Sequence, residues 1–348
     1  MAARIAVICP AFNRSAAILP TVESVLAQTV QDWELLVVSD GSTDDTDEVV
    51  RAVRDPRVRL LRVANHGCPG GPRNAGLAAT SAPYVAYLDH DDVWLPNHLE
   101  VLLGMLQAGA PLAGTGCVRV GPSGRVRHRS GVLDSVWHPE LQVLNAMYEP
   151  SRVGHVRPLV AEAGGWSTAA AGFEDWDLWT RLAERGVDFA VAADRTSVLT
   201  LEDGSRRHLF SPRHSIGLAK TGAERDADRV RDLLAGEHGR ARAEAAYLAD
   251  TEAWYVDLWD SARCVRPPEV RRVDVLEAVR AKLASGEAGS FLHGLVTVPH
   301  AGGFVLALPT AVLNPQHRGR IRELLARRCP AQLRLLRELR AQASTGAL

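Results

Sequence analysis

Along the first hundred residues short apolar runs alternate with amphipathic stretches. Ile5 to Cys9 is an apolar run closed by Pro10 and predicts a strand leading into the loop Ala11-Phe12-Asn13-Arg14-Ser15. Ser15 stands where a helix cap is expected, before Ile18, Leu19, Val22, Val25 and Leu26 at helical spacing. Leu35 to Val38 predicts a second strand, ending in Ser39-Asp40-Gly41-Ser42-Thr43-Asp44-Asp45 and followed by a helix carrying Val49 and Val50. Val58 to Val63 predicts a third, which enters the loop from His66 to Gly76 and then a helix of small residues. Tyr84 to Leu88 predicts a fourth, followed after Pro96 by a helix with Leu99, Leu102, Leu103 and Leu106 inward. Strand and helix alternating at this short period predict a mostly parallel sheet with right-handed crossovers. The GxGxxG fingerprint of dinucleotide binders is absent.

After residue 110 the pattern changes. Ala113 to Val120, the turn Gly121-Pro122-Ser123-Gly124, and Arg125 to Arg129 predict a hairpin. A helical stretch near Leu141 to Met147 and an extended piece before Pro158 follow, then Leu159 to Ala163 running into Gly164-Gly165-Trp166. Gly172-Phe173-Glu174-Asp175 introduces a helix with Trp176, Trp179 and Leu182 on one side and Gly186 past its end. Two short strands are expected near Phe189 to Ala192 and Ser197 to Leu201. From about residue 216 the chain becomes Arg/Ala/Leu-rich, with helical spacing over 225–264, 270–283 and 318–343 and a hairpin around His300-Ala301-Gly302-Gly303. With no internal repeat and no long linker, this last part is expected to be a mainly helical appendage.

Composition narrows the class. The chain has 348 residues, 46% of them hydrophobic, and its 40 basic and 41 acidic residues leave a formal charge of −1. That balance excludes a nucleic-acid footprint on the scale of the whole chain. The Arg-rich stretches 125–129 and 318–328 read as solvated faces. Cys9, Cys68, Cys117, Cys264 and Cys329 are odd in number and never at CxxC spacing, which argues against a disulfide framework or a thiolate zinc site. Met1-Ala2-Ala3-Arg4 has no signal-peptide layout and no apolar run is long enough to span a bilayer, so a cytoplasmic location is expected.

The stretch richest in chemistry is Leu88-Asp89-His90-Asp91-Asp92, three carboxylates planted where an apolar strand ends. In an open α/β sheet ligands bind beyond the carboxyl ends of the strands. Closely spaced carboxylates repel unless a cation is present, and Mg²⁺ or Mn²⁺ takes one or two of them together with substrate phosphate oxygens. Turn formation and capping of the next helix are the alternative uses of the same acids.

Taken together, the motifs resemble a family 2 glycosyltransferase of GT-A fold. They are Pro10-Ala11-Phe12-Asn13, Ser39-Asp40-Gly41-Ser42-Thr43-Asp44, Arg73-Asn74-Ala75-Gly76, Leu88-Asp89-His90-Asp91-Asp92, Gly164-Gly165-Trp166 and Glu174-Asp175, and they cover roughly residues 4 to 214. The resemblance implies a Rossmann-like, mostly parallel sheet with helices on both faces. It also implies metal-dependent, inverting transfer of a sugar from a nucleotide donor, a UDP-sugar by family habit, to a hydroxyl. Asp91 matches the second acid of the DxD motif and is the first choice of ligand for Mn²⁺ or Mg²⁺, with Asp89 reaching metal or ribose and Asp92 supporting either. Asp40 matches the base-recognising acid, beside Pro10, Ala11, Phe12 and Asn13. Arg73 with Asn74 faces the diphosphate, and His90 lies among the donor-site residues. Asp175 matches the general base, where a helix N-terminus favours a charged carboxylate, and Glu174 orients it or binds the acceptor. His208, in the basic segment Arg206-Arg207-His208, is the candidate for a further metal or pyrophosphate contact, with Arg213-His214 nearby.

Two departures stand out. Pro72 precedes Arg73 where a small residue is usual and is expected to stiffen a loop beside the diphosphate. His90 separates two acids, with its side chain expected to point away from both. The expected domains are 1–215, divided near 110 into nucleotide and acceptor halves, and 216–348. In the latter Trp254, Tyr255 and Trp259 read as a helical core cluster, an acceptor-side wall or a homodimer contact. The acceptor is expected to be soluble: a small molecule, glycan or peptide. A sugar-1-phosphate nucleotidyltransferase is the rival enzyme, and it expects a basic glycine-rich loop directly after the first strand. A non-catalytic sugar-nucleotide-binding or scaffold protein is the rival outside enzymes.

Overall fold

The computed structural model describes residues 3–144, 147–169, 172–201, 215–286, 288–309 and 315–345. Two compact units emerge: Met1–Arg206 with Arg263–Glu269, and Arg207–Ala262 with Val270–Leu348. The expected single boundary at 215/216 is thus interrupted by a short return. Backbone bonds in both directions tie Val265 to Trp137, at 2.8 and 2.9 Å.

The first unit opens with β1 (Ile5–Ala11), α1 (Ile18–Leu26), β2 (Trp33–Asp40), α2 (Thr46–Ala52), β3 (Val58–Val63), α3 (Gly70–Ala78), β4 (Tyr84–Tyr87), β5 (Val93–Trp94) and α4 (His98–Gln107). The second half holds β6 (Leu112–Val120), β7 (Val126–Arg129), α5 (Pro139–Leu144), β8 (Val153–Val156), α6 (Pro158–Glu162), α7 (Glu174–Glu184) and β9 (Ala190–Thr200). Among the described residues they build one nine-stranded sheet in the order β3-β2-β1-β4-β8-β6-β9-β5, with β7 on β6. β3, β2, β1 and β4 run parallel, while β8 is antiparallel to both neighbours. Every residue of β1 is buried, as a strand covered on both faces requires.

Local chemistry explains where the elements depart from expectation. In α1 Ile18, Val22 and Val25 face the core, whereas Leu19 falls off the stripe and is exposed. Ser15 does not cap this helix; its backbone N–H donates to Asp44 Oδ2 at 3.0 Å. α3 begins at Gly70, inside the stretch read as a loop. Pro72 therefore lies in the first helical turn, where its missing N–H costs nothing, and does not stiffen a free loop. Gly76 lets α3 lie flat on β1, since a Cβ there would sit 2.6 Å from Ile8 Cγ2. The two strands expected near residues 189–201 form the single strand β9, irregular in register against β6 where polar Asp194 and Arg195 interrupt the apolar run.

The second unit comprises β10 (Ser215–Thr221), α8 (Glu224–Ala235), α9 (Glu237–Trp259), α10 (Arg272–Ala284), β11 (Val296–His300), β12 (Gly303–Pro309), α11 (Pro315–Arg328) and α12 (Pro330–Thr345). It is mainly helical, as expected, but β10-β12-β11 form an antiparallel sheet, of which only the β11-β12 hairpin was legible in the sequence. Its core gathers Val230, Leu234, Leu306, Leu335, Leu336 and Leu339. Buried Asp250 of α9 accepts from the N–H groups of Ala331 and Gln332, at 2.9 and 3.0 Å, and so caps α12. Trp254, Tyr255 and Trp259 are half-buried on α9.

Candidate active site

Because β2, β1 and β4 are parallel and in register, the loops that follow them emerge at one edge of the sheet. The first two are stitched together by side chains. Asn13 adopts a left-handed backbone (φ 52°), tolerable for Asn, and its Oδ1 accepts from Thr43 N–H at 2.8 Å. Its own N–H donates to Ser42 Oγ at 3.2 Å, and Arg14 N–H to Thr46 Oγ1 at 2.8 Å. Pro10 and Ala11 are buried in β1, and Phe12 is exposed beyond it.

Asp40 ends β2 and is buried. Its carboxylate accepts from His66 N–H at 3.0 Å and lies 2.6 Å from His66 Nδ1. Asn65 Nδ2 donates to the Asp40 carbonyl at 2.9 Å. Asp40 is thus held by the loop after β3 as well as by its own strand.

Arg73, in the first turn of α3, is fully buried at 1% exposure. Its Nη2 donates to Asp89 Oδ1 at 2.6 Å, its Nη1 reaches Glu174 Oε1 at 3.4 Å, and its guanidinium lies 4.5 Å above the Trp166 ring. Burial alone would lower its pKa, but Asp89 and Glu174, with a contribution from Asp175, outweigh that and raise it. The next residue explains the second motif. Asn74 Nδ2 donates to the Trp166 carbonyl at 2.9 Å and its Oδ1 accepts from Trp166 N–H at 2.8 Å. Gly165 is left-handed (φ 78°), and a Cβ there would meet Asn74 Oδ1 at 2.9 Å. The amide of Asn74 is therefore spent on clamping Trp166, which stacks on Arg73.

The acids after β4 divide. Asp89 carries the Arg73 bond, and its N–H donates to Ser151 Oγ at 3.0 Å. Asp91 is half-buried between them. Asp92 is buried: Oδ2 accepts from Ser151 Oγ at 2.6 Å, Oδ1 from Thr200 N–H at 2.8 Å, and its carbonyl from Thr21 Oγ1 at 2.8 Å. Burial, then Asp89 and Asp91, push its carboxyl well above the ordinary carboxylate range. His90 turns toward the loop after β1, Nδ1 lying 3.0 Å from the Pro10 carbonyl and Nε2 accepting from Arg14 Nε at 2.7 Å.

Glu174 opens α7, buried, with Oε2 accepting from Gly172 N–H at 2.8 Å. Asp175 follows, half-buried, its Oδ1 accepting from Trp176 N–H at 2.7 Å. Among the described residues no three His, Cys, Asp or Glu side chains converge as a metal cluster. His208 and its basic neighbours lie outside the described residues. Asp91 and the second oxygen of Asp89 are the carboxylates that could serve a Mg²⁺ ion completed by substrate phosphates; Asp92 has both oxygens engaged. Two contributors escaped the motif reading, His66 on Asp40 and Ser151 between Asp89 and Asp92, while Trp166, already in a motif, proves to lie against Arg73. His66 stood in a loop already marked by its glycines; nothing in its neighbours marks Ser151.

Residues 6–159 match Glycosyl transferase family 2. The *Escherichia coli* protein UDP-Glc:alpha-D-GlcNAc-diphosphoundecaprenol beta-1,3-glucosyltransferase WfgD is 37% identical over 102 residues, 29% of this chain and 40% of that one. The succinoglycan biosynthesis protein ExoO of *Rhizobium meliloti* is 40% identical over 104 residues, 30% of each. The chain spans well under two thirds of the curated relatives it matches. *S. aureus* TarS 1–349, solved in complex with UDP, superposes with a TM-score of 0.51 at 16% identity, over 99% of this chain and 92% of that one. Among the described residues no helix is long and apolar enough to cross a membrane. The sheet is that of a GT-A-like fold, and residues 6–159 are similar to Glycosyl transferase family 2.

Proposed function

We propose that the protein is an inverting glycosyltransferase that moves a sugar from a nucleoside-diphosphate donor, a UDP-sugar, to a hydroxyl or similar nucleophile. The observation that carries this reading is one guanidinium, Arg73, bonded to both Asp89 and Glu174. It draws the acids of the DxD stretch and of the α7 start, separated by more than eighty residues, into one site. Asp175 takes the proton of the acceptor hydroxyl as its oxygen attacks the anomeric carbon. The bond from that carbon to the diphosphate breaks with inversion.

Asp40, exchanging part of its contact with His66, would accept the imide N–H of uracil, and the UDP in the name of WfgD and in the TarS complex supports that base. Asp91, with Asp89, would hold Mn²⁺ or Mg²⁺, and such an ion would neutralise charge gathering on the departing diphosphate. Arg73 is better used in holding Asp89 and Glu174 than in touching phosphate, because both its Nη atoms are engaged. The nucleotidyltransferase reading lacks its basic glycine-rich loop after β1, where Pro10-Ala11-Phe12-Asn13 stands.

The test is a screen of nucleotide sugars with Mn²⁺, following hydrolysis or transfer. Turnover of a UDP-sugar with an inverted product supports the reading. Binding of nucleotide sugars without any turnover, across acceptor classes, would transfer support to a scaffold role.

A further inference from the structure

The second unit contains a cleft of about 760 Å³ between its sheet and α11. Lys220 from β10 and His300 from the end of β11 line it on one side, and Arg318 and Arg322 of α11 on the other. Val305 and Leu325 supply apolar surface between them. No carboxylate belongs to the described lining. Arg318 and Arg322 are four residues apart, so they share one helix face. Around them the sequence is one-signed: from residue 288 to 348 it holds eight arginines and two glutamates, with no lysine or aspartate.

We propose that this cleft binds a phosphate group borne on an apolar chain. Lys220 of β10 and Arg322 of α11 bring cations from two elements to one volume, with Arg318 beside them and the His300 ring offering a further polar contact from β11. Guanidinium groups suit phosphate oxygens, and the apolar wall suits what the phosphate is attached to. This gives the Arg-rich stretch 318–328 a use beyond a solvated face, and it stands whether or not the first unit transfers sugar.

The test uses the full chain in EDTA, with three probes: inorganic pyrophosphate by calorimetry, vesicles of phosphatidylcholine with one third phosphatidylglycerol by cosedimentation, and vesicles of phosphatidylcholine alone. The variants are Arg322→Gln, Lys220→Gln and, as control, Arg334→Gln, an exposed change on α12 outside the cleft. The phosphatidylglycerol vesicles should bind, and each cleft change should weaken that binding about tenfold, the scale of one charged hydrogen bond, while Arg334→Gln leaves it unchanged. Tighter binding of the anionic vesicles than of pyrophosphate supports a phosphate on an apolar chain; binding of pyrophosphate with none of the anionic vesicles overturns it. The proposal is overturned if neither anion binds, if phosphatidylcholine alone binds as well, or if Arg334→Gln costs as much as the cleft changes. Both cleft side chains are exposed, and circular dichroism of each variant separates lost binding from lost fold.

Discussion

Arg73 Nη2 lies 2.6 Å from Asp89 Oδ1, inside a guanidinium that is almost wholly removed from solvent. The same group reaches Glu174 and rests on Trp166, so the arginine is the hinge between the strand-end acids and the acids of α7.

Removing that cation leaves two carboxylates facing each other with little water to screen them. Arg73→Gln should therefore cost about 3 kcal/mol, the scale of breaking a buried ion pair, together with most of the activity. Urea unfolding and turnover measured side by side check this. Arg73→Lys should recover part of the stability but not the two-armed geometry. Unchanged stability in both variants would remove Arg73 from its place as hinge.

Asp175→Asn separates chemistry from binding. The side chain keeps its shape and loses the ability to take a proton, so turnover should fall by about 10²–10⁴-fold while UDP binds as before. Product turnover and a UDP titration on the same preparation decide the matter. A fall in UDP affinity with normal turnover at saturation would assign Asp175 to the donor instead.

Asp91 and Asp92 should behave oppositely. Asp91→Ala should abolish the enhancement of nucleotide binding by Mn²⁺ with little change in stability. Asp92→Ala leaves Thr200 N–H and Ser151 without their acceptor, and should cost about 1–3 kcal/mol while the Mn²⁺ response survives in the folded fraction. Calorimetric titrations with and without Mn²⁺, paired with thermal unfolding, distinguish the two.

Stability should fall on the acid side because of two buried histidines. His98 donates or accepts at Thr196 Oγ1 (2.7 Å) and stacks on Trp94; burial drives its pKa down to about 3. His155 lies between Tyr87 OH and the Val156 carbonyl, and burial takes it to about 4. Both bind a proton less readily folded than unfolded. Their contribution is therefore present above the ordinary histidine value of about 6.5 and is lost as pH falls from there through the folded values. Unfolding free energies at pH 7 and pH 4.5 should show the loss, and His98→Gln should flatten part of it.

Much of this molecule is written in its local pattern. The apolar runs at Ile5–Cys9 and Leu35–Val38 read as buried strands, Val58–Val63 as a strand that proves to be a half-exposed edge, and the amphipathic stretches between them as helices, because hydrophobic period is a local property. The acids at 89, 91, 92, 174 and 175 were likewise visible as chemistry. What the chain's order could not state is which acid meets which partner. Asp92 is bound to Thr200 and Ser151, Asn74 to Trp166, and Asp40 to His66, across 108, 59, 92 and 26 positions respectively. Such bonds exist only once the sheet has brought distant loops to one edge. A residue's motif therefore announced that it mattered, and tertiary contact decided whether it faces the substrate or holds the residue that does.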